Sequence, residues 1–114
     1  MIFRGRLIAE VTGMEEKPWI KRWHDLRLYK TEHNRFVVEV VLTKRMKGEE
    51  GHNAAYLCED MTAVKEALES HDFMQGVGFP KAEKWLPRIE KVRVKLEPEY
   101  RERCQQLLTG TIGT

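Results

Sequence analysis

Trp23-His24-Asp25-Leu26-Arg27-Leu28-Tyr29 and, further along, Phe36-Val37-Val38-Glu39-Val40-Val41-Leu42, the head of a run that continues to Met46, are two arms of a hairpin that sets its own register. Successive side chains of a strand point to opposite faces, so Leu26 and Leu28 share one face of the first arm. On the second arm Phe36, Val38, Val40 and Leu42 do the same. A slip of one residue would turn the two apolar sets to opposite sides of the sheet. The faces agree when Leu28 lies opposite Val38 and Leu26 opposite Val40, which leaves Glu32, His33 and Asn34 as a three-residue loop. Such a loop ends on a left-handed residue, a conformation that Asn34 tolerates. The same register sets Arg27 opposite Glu39, a pair worth about 0.2 to 1 kcal/mol.

Outward from the hairpin, Phe3, Gly5, Leu7, Ala9 and Val11 alternate with Arg4, Arg6, Ile8 and Glu10, which predicts a first strand with one buried face, closed by Gly13. Met14 to Ile20 has no period and reads as a connection, with Trp19 turned back onto the core. Lys47 to His52 is a second turn region, and Ala54 to Cys58 a short fourth strand. Asp60 offers an N-cap for a helix over Met61 to His71, in which Val64, Ala67, Leu68 and His71 recur at helical spacing. Gly76, Gly78 and Pro80 break the chain, and Lys81 to Leu86 reads as a helical turn anchored by Trp85 and stopped by Pro87. From Ile89 onward Val92, Val94 and Leu96 alternate with Lys91, Arg93 and Lys95, the pattern of a fifth strand. Pro98 suits the first position of a last helix carrying Tyr100, Cys104, Leu107 and Leu108, with Gly110 as its stop. The expected fold class is α+β, an antiparallel four- to five-stranded sheet in the order β-β-β-β-α-β-α with a helix packed on one face. Residues 1–110 form one domain and 111–114 a frayed tail.

The 114 residues suffice for one domain with a core of its own. Hydrophobic content of 41% against 33% charged excludes a disordered chain, and no apolar run reaches membrane-spanning length. The first residues lack a secretory pattern, so the expected location is the cytoplasm. Cys58 and Cys104 stand far apart, which favours two reduced thiols over a disulfide or a zinc site. Residues 1–30 carry +3, 31–50 zero, 51–80 −4 and 81–114 +3. Such polarity can steer an anionic partner or let two copies meet head to tail.

The histidines, cysteines and carboxylates form no catalytic or metal-binding spacing, so neither catalytic residue, metal nor cofactor is expected. His24 and Asp25 are strand neighbours and point apart. His71, in the last turn of a helix, is expected as a cation that suits the dipole. A Cys58 nucleophile would need a histidine brought from elsewhere in the fold. Gly76-Val77-Gly78-Phe79-Pro80 lacks the Lys and Ser/Thr of a phosphate loop.

What remains is the second face of the sheet, with Trp23, Arg27, Tyr29, Arg35, Val37, Val41 and Arg45, and with Arg4 and Arg6 beside them on the first strand. One expectation is that a helix or a second copy covers these apolar groups, which makes the protein a non-enzymatic binding or regulatory accessory acting as a homodimer. The alternative is a single-stranded DNA or RNA surface. Trp23 and Tyr29 would stack on bases, while Arg4, Arg6, Arg27, Lys91, Arg93 and Lys95 would contact phosphates. Glu10, Asp25 and Glu39 on the same face dilute that basic patch. A meander followed by a helix is similar in outline to small single-strand-binding folds, an analogy of fold alone.

Overall fold

The hairpin pairs as its alternation requires, with Leu28 opposite Val38, Leu26 opposite Val40 and Arg27 opposite Glu39. Asn34 closes the turn at φ 59°, the left-handed conformation expected of it. The Thr31 N–H donates to the Arg35 carbonyl at 2.8 Å and frames the three-residue loop. In the computed structural model, which describes residues 5–13, 22–44, 51–75 and 86–112, the hairpin is the centre of a four-stranded sheet. Its strands are β1 (Gly5–Thr12), β2 (Arg22–Thr31), β3 (Phe36–Lys44) and β4 (His52–Cys58), followed by α1 (Met61–Ser70) and α2 (Leu86–Ile112). All three strand pairs are antiparallel and the order is sequential, so the sheet is a meander and the fold is α+β.

Both helices lie on the face that carries Leu26, Leu28, Val38, Val40 and Leu42, each at most 2% exposed. Val64 and Leu68 from α1 close this core together with Leu96, Tyr100 and Leu107 from α2, and with Cys58 and Phe73. The last helix therefore does not cover the second face of the sheet, one of the two coverings expected for it. Helix α1 starts as its cap predicts, the Asp60 carboxylate accepting from the Ala63 N–H at 2.8 Å.

Two readings need correction. The fifth strand is absent, because residues 89–96 are the first turns of α2, and Pro98 lies inside that helix rather than at its start. Val92 and Leu96 fit either period, since positions four apart share a helix face and also share a strand face. Val94 alone separates the two readings, and it is 68% exposed. The helical stripe continues through Tyr100, Arg103 and Leu107, all buried, and helix α2 passes Gly110 without stopping. The second correction concerns β1. A bulge between Leu7 and Ala9 shifts its register, so Ala9 and Val11 face the core while Leu7 turns to the opposite face beside Tyr29. An extra residue in one strand reverses the face of everything before it.

Expectations for Arg4, Met14 to Ile20, Arg45, Gly76 to Pro80 and Trp85 fall outside the described residues. No described helix is long and apolar enough to cross a membrane.

Pro98 has no N–H for the Val94 carbonyl, and its ring crowds that turn at an exposed position. Pro98→Ala is expected to raise stability by about 1 to 3 kcal/mol, read as a higher urea midpoint with an unchanged slope.

Candidate functional site

The second face is built from rows of residues that oppose one another across the strands. Glu10, Arg27 and Glu39 make one row over β1, β2 and β3. The Arg27 Nε donates to Glu10 at 2.6 Å and its Nη1 donates to Glu39 at 2.9 Å. These two hydrogen bonds, that of Glu10 first, hold the guanidinium in its charged form even more firmly than usual. The next row is also closed on itself. Asp25 accepts from the Thr12 hydroxyl at 2.5 Å and from the Gly13 N–H at 3.2 Å through one oxygen, and from the Thr43 hydroxyl at 3.0 Å through the other. The third row, Leu7, Tyr29, Val37 and Leu57, runs over all four strands and is apolar. Leu7 is 49% exposed and Leu57 is 55% exposed, and neither described helix lies on this side.

The described residues among those named from sequence for nucleic-acid contact do not form one exposed surface, although Trp23, Arg27 and Tyr29 share a face of β2. Trp23 is 5% exposed, too enclosed for a base to stack on it. Arg6 opposes Lys30, which puts it on the other face from Arg27 because of the bulge. Tyr29 belongs to the apolar row, and Arg27 is engaged by two carboxylates. Lys91, Arg93 and Lys95 are exposed on α2, where alternate positions point in different directions. Arg93 pairs with Glu90 at 3.3 Å and lies 5.9 Å from the Phe73 ring centre.

The chemistry that sequence inspection passed over is inside. His24 is 1% exposed. Its Nδ1 is 2.7 Å from Glu99 Oε2, and its backbone N–H donates to Glu99 Oε1, also at 2.7 Å. The Nε2 faces the Phe73 carbonyl at 3.1 Å. Both ring nitrogens thus face oxygen atoms, and the His24 N–H shares the same carboxylate. Gly13 makes the arrangement possible, since a Cβ there would stand 2.4 Å from Glu99 Oε1 and 2.7 Å from the His24 carbonyl. Arg103 flanks the pair from the next turn of α2, its Nε 3.9 Å from Glu99.

His71 also departs from expectation, being 8% exposed rather than a solvated cation. The Tyr56 hydroxyl is hydrogen-bonded to its Nδ1 at 2.5 Å. Burial foremost, then the nearby charge of His24, pushes the His71 imidazole below its ordinary value, with His52 acting the same way and Asp72 opposing. Neither thiol is primed for attack. Burial and then Asp60 push Cys58 up, and burial pushes Cys104 up to about 11, which disfavours the reactive thiolate. Cys104 borders a groove of about 240 Å³ between α1 and α2, lined by Leu68, Tyr100 and Leu108 among others. Among the described residues no group of three or more His, Cys, Asp or Glu could hold a metal ion.

Removing Glu99 leaves the buried His24 ring and backbone N–H without their carboxylate partner, so Glu99→Ala should cost about 3 kcal/mol in denaturant unfolding. Gly13→Ala should cost about 1 to 3 kcal/mol through overlap, and less than that in a Glu99→Ala background, because one of the two clashing atoms is gone. His71 adds a pH dependence. As pH falls below about 6.5 the unfolded chain takes up the proton before the folded ring does, so stability is full above that point and is lost below it. Urea midpoints between about pH 5 and 8 should show that decline, and His71→Gln should flatten it.

Compared with protein-family models, with curated proteins and with solved structures, the chain matches none.

Proposed function

We propose that this chain is a small non-enzymatic binding module with a regulatory or accessory role, and that it works through protein–protein contact with a second copy of itself as its first partner. The apolar row on the second face carries this reading. Leu57 and Leu7 are two of the large apolar side chains left most exposed among the described residues, and they stand at the two ends of one row that continues through the half-buried Tyr29 and the buried Val37. The polar rows beside it support the same conclusion, since Arg27 and Asp25 satisfy their partners within the sheet and leave the face apolar contact to offer. Full burial of a Leu side chain is worth about 1.5 to 3 kcal/mol, and a two-fold contact counts it twice.

Sedimentation of the full chain over a micromolar concentration series should show a monomer–dimer equilibrium. Leu57→Asp should shift it towards monomer at least tenfold without changing the far-UV circular dichroism. A monomer at every concentration would remove the homodimer reading. Binding of a labelled single strand that weakens steeply with salt, and that Leu57→Asp leaves intact, would instead favour a nucleic-acid surface.

A further inference from the structure

Resting on that reading, we infer that the two copies meet along the edge of β4 that no described strand pairs with, in antiparallel pairing that continues the sheet from one chain into the other. An edge strand presents unpaired N–H and C=O groups, and proteins that stay single guard such edges with charges, prolines, glycines or bulges. The two edges of this sheet are treated differently. Strand β1 carries Gly5, Arg6 and Glu10 and is bent by the bulge between Leu7 and Ala9. Strand β4 reads His52-Asn53-Ala54-Ala55-Tyr56-Leu57-Cys58, with no Lys, Arg, Asp, Glu, Pro or Gly. Its pairing with β3 runs unbroken from Leu42–His52 to Phe36–Cys58, so the strand is straight where β1 is not. Among the described residues no strand lies on its far side.

A second copy fits this edge better than a foreign peptide does. Peptides that add to an edge gain their specificity from side-chain pockets, and the middle of β4 offers only Ala54 and Ala55. Self-pairing requires instead that a strand oppose its own sequence without like charges meeting, a condition that an uncharged strand meets at any register. Pairing all seven residues puts the two-fold axis at Ala55, sets Tyr56 across from Ala54 of the second copy, and gives the exposed Leu57 a neighbour in Asn53 of the second copy. Because both sheets then share their faces, the apolar row of each chain runs up to the junction from opposite sides.

The test compares the full chain with three variants in sedimentation and in cross-linking. Ala55→Lys places its charge beside Glu39 on β3, a favourable neighbour that keeps the fold, but against its own copy at the axis. It should weaken self-association at least tenfold, with an unchanged urea midpoint at concentrations where both chains are monomeric. Arg6→Glu, on the far edge across from Lys30, should associate like the unaltered chain. Directly opposed residues in antiparallel strands have Cα atoms about 4.5 to 5.5 Å apart, within disulfide reach, so Ala55→Cys should form a covalent dimer on mild oxidation where the unaltered chain does not. A chain that never dimerises overturns the homodimer reading and this inference together. A dimer that survives Ala55→Lys, or that Arg6→Glu abolishes, overturns the β4 edge and leaves the homodimer standing.

Discussion

Glu99 reaches from the middle of α2 into the end of the sheet, where its two oxygens accept from the backbone and face the ring of His24, each at 2.7 Å. Gly13 opposes His24 where β1 runs out, and its N–H already donates to the His24 carbonyl at 2.9 Å. A regular ladder would return the His24 N–H to a carbonyl on β1. The carboxylate takes that place instead, and it enters because Gly13 has no side chain in the way. The rest of the molecule is arranged around this contact. Nε2 of the same ring faces the carbonyl of Phe73 just beyond α1, and Tyr100, one residue after Glu99, sets its ring edge-on at 4.9 Å. One side chain thus joins β1, β2, α2 and the segment after α1. An enclosed charge without its partner is costly, which makes the position of α2 along the sheet specific rather than merely greasy.

Tyr100 extends the constraint to the other helix. Its hydroxyl donates to the Leu68 carbonyl at 2.6 Å near the end of α1, and its ring lies 5.7 Å from that of His71. Two buried histidines therefore sit close to one tyrosine in opposite roles. His24 is held by a carboxylate and His71 by a hydroxyl, and burial above all holds the His71 imidazole below its ordinary value. Polar groups this deep are tolerated because each has a partner.

The outer face follows the opposite logic. Its charges are tied up within their own rows, Arg27 by Glu10 and Glu39 and Asp25 by two hydroxyls, and they leave a negative balance beside the apolar row. That division, with a histidine–carboxylate contact inside and an apolar row outside, points to contact surfaces rather than to a pocket. The unguarded β4 edge and the exposed Leu57 lie at the same end of that row.

The hairpin, its register, the Asn34 turn, the Arg27–Glu39 pair and the Asp60 cap were all legible in the sequence. Each depends on residues close along the chain or on a period that one strand displays by itself. Two elements were misread for want of a single discriminating residue. Val94 separates a helix from a strand over residues 89–96, and the bulge before Ala9 reverses the facing of Leu7 and Arg6, yet neither leaves a local mark stronger than alternation. The His24–Glu99 contact spans 75 residues, and nothing in either neighbourhood announces it. Local alternation and capping, which act over a few residues, determined the sheet and the first helix. Where α2 lies, which histidine meets a carboxylate, that Trp23 is enclosed and which apolar side chains stay exposed were decided only when distant segments packed, because burial and pairing are properties of the assembled fold.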